Sequence, residues 1–393
     1  MPSIRAACVA VVLLSPTARA GEVPVWFGTY TTPKTASEGI YVALFDTDTG
    51  MLSKPLLAGR AKNPSFLASH PRLPMLYAVS EIAGGDGRPA GAVEAFEIDE
   101  ATGTLASRGA ESTGGAGPCH VTVDPEGRVV LAANYGGGSV ACLRLTADGW
   151  LEPLVMTGSA SGFVQHEWDR SGEQGIDLKR QDKPHAHSVD VSPGGFSVFV
   201  CDLGLDRIQV HGLDRERATL DPVRDSVRLA PGAGPRHLAI HPDGERAWCV
   251  NELDLTVTGL RSSVRPGFLV DETCSTLPPE VTDRTGLSCA EIAVHPHGKF
   301  IYASNRGHDS LAMFRIVGDT TQLEFLGTEP TRAKTPRHFA IAPGGKFLLV
   351  AGQASNTVTV FAIDPETGRL RFTGTSIEVP SPVCVAFRRS QGM

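Results

Sequence analysis

The sequence predicts an all-β chain wound into a seven-bladed β-propeller. Each blade has four antiparallel strands, and the last is closed by strands from both chain ends. Three observations predict this. First, one segment recurs: "NPSFLASHP" (63–71), "GPCHVTVDP" (117–125), "PHAHSVDVSP" (184–193), "GPRHLAIHP" (234–242), "LSCAEIAVHP" (287–296) and "TPRHFAIAP" (335–343). Second, the closing prolines Pro71, Pro125, Pro193, Pro242, Pro296 and Pro343 lie 54, 68, 49, 54 and 47 residues apart, and about fifty residues is the period of a four-stranded blade. Third, the ends are complementary. A seventh copy, "SPVCVAF" (381–387), offers one inner strand, while the first unit, opening with "VPVWFGTY" (23–30), lacks one. Sharing that blade removes the open edges that an unclosed sheet would carry.

Residues 1–20 stand apart. Arg5 gives a positive start, residues 6–14 are apolar, and Ala18-Arg19-Ala20 has the A-x-A form of a cleavage site. This pattern predicts a signal peptide, a mature chain from Gly21 and a periplasmic or secreted protein; without cleavage the protein would be cytoplasmic. The apolar run is too short to span a bilayer. Residues 21–393 then form the single propeller domain. Six of the repeats lead through turns such as "DPEG", "SPGG", "HPDG" and "APGG" into a second apolar run: "MLYAVSE", "VVLAANY", "SVFVCDLG", "AWCVNE", "IYASNR" and "FLLVAGQ". A third run follows, as in "SVACLRL" or "TVTVFAID". The 68-residue interval holds an inserted polar loop, "SGFVQHEWDRSGEQGIDLKRQDKPHAHS", that leads straight into His185 and His187. Long loops in compact domains are often functional. Residues i and i+2 of a strand share a face, so these two imidazoles could bind a metal, do acid–base work or pack.

Stacking the repeats places four columns on one rim of the central channel. The start of each inner strand gives Ser65, Cys119, His187, Arg236, Ala290, Arg337 and Val383, followed by Phe66, His120, Ser188, His237, Glu291, His338 and Cys384. The end of each second strand gives Ser80, Asn134, Asp202, Asn251, Asn305 and Gly352, followed by Glu81, Tyr135, Leu203, Glu252, Arg306 and Gln353. Antiparallel pairing sets the start of one strand beside the end of the other. A purely structural rim should repeat, because every blade meets the same packing problem. The recurrent His120, His237 and His338 fit such packing. His187, Arg236, Glu252 and Arg306 break the repeat and are the candidate catalytic residues. His120, Asn134, Tyr135, His185, Arg337 and Gln353 are candidates for substrate binding. The four candidate catalytic residues are read as coming from four consecutive repeats, the third to the sixth, which sets the pocket off-centre.

The segments "KPHAHSVDVSP", "GPRHLAIHPDG", "VNELD", "SNRGHDS" and "TPRHFAIAPGGKFLLVAGQ" resemble the lactonase family of seven-bladed β-propellers. That family includes bacterial 6-phosphogluconolactonases and fungal carboxymuconate-lactonizing cyclases. The likeness covers nearly all of 23–388. It implies a catalytic cluster of a His, two Arg and a Glu, falling on His187 in H-A-H-S, Arg236 in G-P-R-H, Glu252 in N-E-L-D and Arg306 in S-N-R. The leader is a departure, since 6-phosphogluconolactone is a cytosolic intermediate and an exported member would meet another lactone.

Hydrolysing a lactone needs an activated water and a stabilised oxyanion. Imidazole suits the first task, and guanidinium suits an anionic substrate or oxyanion. The same cluster run backwards would cyclise an acid onto an alkene, and an exported propeller could also be a binding protein without turnover. Those alternatives stay open at the level of sequence. A net charge of −7 without any Lys/Arg run argues against nucleic acid as a partner. The expected partner is a small anionic lactone. Seven cysteines lie beyond the leader, without C-x-x-C spacing, mostly in apolar runs; they read as small buried hydrophobes. No cofactor or metal is expected, because His120, His185 and His187 lack a matching carboxylate or thiol partner.

Overall fold

A computed structural model describes residues 21–83, 91–156, 161–169, 177–263 and 267–388. The predicted leader and parts of the long insertion lie outside these. The described chain is all strand and turn, arranged as seven small antiparallel sheets. The inner strands are Leu67–Ser69, Pro118–Val123, Ala186–Val191, Pro235–Ile240, Ser288–Val294, Pro336–Ile341 and Pro382–Phe387. Each packs beside the next, and the last lies beside the first, so the ring is closed. Closure is as the sequence predicts: Pro382–Phe387 pairs antiparallel with Glu22–Thr29, with Val25 opposite Phe387 and Phe27 opposite Val385. One blade departs from the simple pattern. The fourth-strand position beside Arg207–Asp214 is filled by two pieces, Thr219–Leu220 and Asp225–Arg228.

Seven apolar clusters fill the seven junctions between neighbouring blades. Alternating side chains from two facing sheets supply each one, as in stacked sheets generally. Large aromatic residues on the second strands add a polar lock. Trp26 Nε1 donates to Gly103 O at 2.8 Å, Tyr77 OH to Gly149 O at 2.7 Å, Trp248 Nε1 to Thr321 O at 2.8 Å and Tyr302 OH to Gly368 O at 2.9 Å. Each bond ends on the outer hairpin of the next blade. A second lock lies at the channel end away from the predicted site. His70, His241 and His295, each just before a closing proline, meet Gly127 O, Gly298 O and Gly345 O of the following blade at 3.1, 3.1 and 2.9 Å. Those turn glycines have φ of 70°, 69° and 71°, and a Cβ on Gly127 would sit 2.4 Å from the His70 ring. The turns therefore need glycine for both conformation and space.

The seven cysteines among the described residues are all thiols, six buried and Cys274 half-buried. Among the described residues, no helix is long and apolar enough to cross a membrane. Tyr302 tests the aromatic lock. Tyr302→Phe keeps the ring but leaves Gly368 O without its donor, and should cost about 1–3 kcal/mol. Urea unfolding should show a lower midpoint with an unchanged slope.

Candidate functional site

A single-residue irregularity near the start of the inner strands builds the site. Pairing with the second strand shifts register between Pro118 and His120, Ala186 and Ser188, Pro235 and His237, and Pro336 and His338. The skipped residues are Cys119, His187, Arg236 and Arg337. A bulge re-aims its extra side chain, so two successive residues can both serve the channel instead of alternating between faces. This revises the sequence-based reading of the two histidines. His185 precedes the strand and His187 occupies the bulge, so they are not strand neighbours on one face.

Glu252 is the centre of the cluster. It sits in the turn after Arg246–Asn251, held by its backbone N–H on Gly234 O at 2.7 Å. Its Oε2 accepts Arg236 Nε at 2.9 Å and lies 3.1 Å from Arg306 Nη2. Its Oε1 accepts Arg180 Nη2 at 2.5 Å. His187 Nε2 is 4.0 Å from Oε2. Burial alone would raise the Glu252 pKa, but Arg306, Arg236 and Arg180 overcome it and hold the carboxylate well below its usual range. Arg236 is buried so deeply that its pKa falls to about 10, further lowered by Arg337 and Arg306 and opposed by Glu252 and Glu291. It stays cationic at neutral pH. His187 is pushed well below its ordinary value by burial, then by Arg236, His237, Arg337 and Arg306. It is therefore a neutral imidazole among cations.

Beneath this cluster the channel is plugged. Phe66 packs on His120 at 4.1 Å between ring centroids and on His338 at 5.2 Å, and His120 meets His237 at 5.2 Å. Hydrogen bonds assign the ring protons. Arg236 Nη1 donates to His237 Nε2 at 3.1 Å, His237 Nδ1 donates to Glu291 Oε2 at 2.9 Å, and His338 Nε2 reaches the same oxygen at 3.2 Å. Val189 N–H donates to His120 Nδ1 at 3.3 Å and Val385 N–H to His338 Nδ1 at 3.2 Å. Across the axis, Arg337 donates to Tyr30 OH at 3.1 Å, and that hydroxyl donates to Glu81 at 2.9 Å. Ser65, Glu81, Cys119, Arg236 and Arg337 line an internal cavity of about 10 Å³, about the space of a single water. Counting Arg180, Arg236, Arg306 and Arg337 against Glu252 and Glu81, the mouth carries a surplus of positive charge.

Comparison with known proteins decides the family. Residues 24–387 match the family described as lactonase, 7-bladed beta-propeller. The chain belongs to that family. The 6-phosphogluconolactonase of Bacillus subtilis (strain 168) is 35% identical over 363 residues, covering 92% of this chain and 97% of that one. The 6-phosphogluconolactonase of Formosa agariphila is 32% identical over 318 residues, covering 79% and 84%. The periplasmic gluconolactonase of Pseudomonas aeruginosa has a structure that superposes with a TM-score of 0.82 at 32% identity, covering 93% of this chain and 99% of that one. This lactonase is thus an enzyme of the lactone-hydrolysing type.

The structure sorts the residues expected at the lactonase site. His187, Arg236, Glu252 and Arg306 meet at Glu252. They come from three consecutive blades rather than four, because Arg236 and Glu252 share one. Tyr135 joins them, its hydroxyl 3.2 Å from Arg180 Nη2 and its ring edge-on to His187 at 5.3 Å. His185 orders the rim. It stacks on Tyr135 at 4.4 Å, and its nitrogens meet Tyr135 O and Asp182 Oδ1, each at 2.9 Å. His120 belongs to the plug, with its Nδ1 bound to backbone, so it does not reach the mouth. Asn134 is fully buried inside its blade, taking a bond from Thr113 Oγ1 at 2.7 Å and giving one to Ser139 Oγ at 3.1 Å. Those bonds use its amide for packing. Gln353 lies away from Glu252, in a separate depression with Lys34, Thr335 and Asn356. Among the described residues, no group of three or more His, Cys, Asp or Glu is arranged to hold a metal ion.

Sequence reasoning missed Arg180. It lies in the insertion, where no repeat exists to align it; the one signal was the polar loop's approach to the histidines. Its segment is pinned by Gln181, fully buried, whose Nε2 donates to Leu203 O and Asp206 Oδ1, both at 2.8 Å.

The buried histidines predict acid sensitivity. Burial lowers His120, His187, His237 and His338, with His338 at about 4. Unfolded histidine titrates near 6.5, so below that pH the unfolded chain binds more protons. Their stabilisation is full above about pH 6.5 and is lost as pH falls toward about 4. Glu291, raised by burial above its ordinary 4.5, offsets part of this. Thermal melts should show Tm falling steadily from about pH 7 to about pH 5; a flat profile would contradict neutral histidines in the channel.

Proposed function

We propose that this lactonase hydrolyses a sugar lactone, favours one that carries an anionic group, and works in carbohydrate metabolism outside the cytoplasm. The observation that carries this reading is the gathering of His187, Arg236 and Arg306 around the Glu252 carboxylate. The names of its relatives support the reaction class. The surplus of guanidinium over carboxylate at the mouth supports an anionic substrate.

In this reading His187 Nε2 removes a proton from water as its oxygen attacks the lactone carbonyl. The imidazolium so formed lies 4.0 Å from Glu252, which offsets its charge. The carbonyl oxygen becomes an oxyanion, stabilised by the Arg306 guanidinium. Collapse of the tetrahedral intermediate breaks the bond to the ring oxygen. That oxygen takes the proton back from His187, leaving a hydroxy acid and a neutral imidazole. Arg236 has Nε on Glu252 and Nη1 on Ala290 O at 2.6 Å, so its role is to hold Glu252 in place.

The test is a panel of phosphorylated, carboxylated and uncharged sugar lactones, scored above spontaneous hydrolysis. Turnover of at least one is expected. His187→Ala should lower kcat by about 10²–10⁴-fold, the usual weight of general-base catalysis. The acid limb of kcat/KM should fall below the ordinary 6.5, because the His187 pKa is depressed. A folded His187→Ala protein with full activity would remove His187 as the base, and a wild-type protein that binds lactones without turnover would favour a binding role.

Export rests on the charged start, apolar run and A-x-A pattern of residues 1–20 and on the periplasmic Pseudomonas neighbour. Mature protein should begin at Gly21 on N-terminal sequencing. Recovery of an intact Met1 from the cytosol would refute export and make a phosphorylated lactone the first substrate to assay.

A further inference from the structure

We infer that Arg180, carried by the inserted loop, is the substrate-anion anchor of this site and sets its preference for a charged over an uncharged lactone. The inference rests on the lactonase reading above and goes beyond it by naming the residue that reads the substrate's remote charge.

Three guanidiniums share Glu252, and their surroundings differ. The Arg236 side chain is 3% exposed, with Nε on Glu252 and Nη1 on Ala290 O and His237. The Arg306 side chain is 15% exposed, and its Nη2 serves both Glu252 and Cys289 O. Arg180 is 39% exposed, the most open of the three, while the carboxylate it touches is 2% exposed. An entering ligand therefore meets Arg180 first. Both of its hydrogen bonds among the described residues come from Nη2, to Glu252 Oε1 and Tyr135 OH. Nε and Nη1, on opposite sides of the guanidinium, have no partner among the described residues, and each can donate a charge-assisted bond to a carboxylate or phosphate oxygen. Glu252 cannot neutralise the Arg180 charge, because Arg236 and Arg306 draw on the same carboxylate. Burial lowers the Arg180 pKa and the Glu252 contact more than reverses this, so its charge is permanent.

The position is built rather than accidental. Gln181, next in sequence, is locked to Leu203 O and Asp206, and its Oε1 accepts Asp177 N–H at 3.0 Å. Lys183 Nζ ties the same segment to Gly136 O at 2.8 Å, next to Tyr135. A solvated surface arginine has no need of such fixtures. The ligand chemistry is an oxyanion, phosphate or carboxylate, set on the substrate away from the reacting carbonyl. Arg180 takes no part in bond making.

The experiment compares wild type, Arg180→Ala and Arg180→Lys on a phosphorylated, a carboxylated and an uncharged sugar lactone. The expected result is a rise in KM for a charged lactone about 10- to 100-fold greater than the rise for the uncharged one, with kcat changed far less. Whichever charged lactone shows the larger discrimination identifies the anion. Arg180→Lys should recover only part of the loss, because an ammonium keeps the charge but cannot hold Glu252 and Tyr135 through one nitrogen while offering others to the ligand. Equal KM changes on all three lactones, or a loss confined to kcat, would overturn the inference and leave Arg180 as a support for Glu252. If wild type hydrolyses none of them, the lactonase reading fails separately. Calorimetry with the ring-opened phosphorylated and carboxylated acids then still reads Arg180. Weaker binding by Arg180→Ala sustains an anion anchor, and unchanged binding overturns it.

Discussion

One bulged residue at the mouth of an inner strand is the constraint on which the site depends. An inner strand has a partner on one side only; its other edge faces the channel axis. Buried N–H and C=O groups along that edge need partners. The bulge turns His187, Arg236 and Arg337 toward the axis, and the following residue supplies the plug. His120 and His338 accept N–H groups from the next inner strand, and Arg236 donates to the carbonyl of Ala290. The groups that satisfy the ring's inner edge therefore also fix the plug and hold the buried cluster above it in place. In this molecule the site is the solution to an edge problem posed by closing seven sheets on one another.

That solution has an electrostatic consequence. Burying several guanidiniums together is unfavourable unless carboxylates and carbonyls compensate. Glu252 compensates at the mouth, Glu291 in the plug and Glu81 across the axis. The compensation is incomplete, and what remains is a cationic mouth over a buried carboxylate. A preorganised field of that kind stabilises developing negative charge without rearrangement at the moment of reaction. Burial first and then this field keep His187 a neutral imidazole, the form that a general base would need. An anion bound there would relieve the excess and raise the affinity of His187 for a proton.

Most of the fold was legible because it repeats. The recurring segment located every inner strand, and the complementary ends located the shared blade. The cluster around Glu252 was legible for the opposite reason: His187, Arg236, Glu252 and Arg306 interrupt the repeat where packing alone would have preserved it. The misreadings follow from the same logic. Asn134 has counterparts in Asn251 and Asn305, and all three bind the hydroxyl residue that opens the third strand, Ser139, Thr256 or Ser310. That recurrence was itself the sign of a structural role. His120 likewise recurs as a backbone acceptor. Bulges were invisible, since a register shift leaves no mark on apolar alternation this short. Arg180 was invisible because an insertion has no sister repeat against which to measure it.

The insertion shows how a symmetric scaffold acquires an asymmetric site. Lengthening a surface loop costs little, since closure entropy grows only slowly with length, whereas changing an inner strand disturbs two neighbouring blades. The short outer strand Phe163–Gln165 begins the excursion, and His166 then anchors it to Asp202, 2.6 Å from its Nδ1. The other oxygen of Asp202 accepts the N–H of His185 at 2.8 Å, the residue that leads into the His187 bulge. One buried carboxylate thus couples the added loop to the strand that carries His187. The loop can change the arginine it presents while the bulged residues, committed to the inner edge, stay where the ring requires them. Variation in what the mouth accepts is therefore expected to collect in the insertion, and the chemistry to stay with the ring.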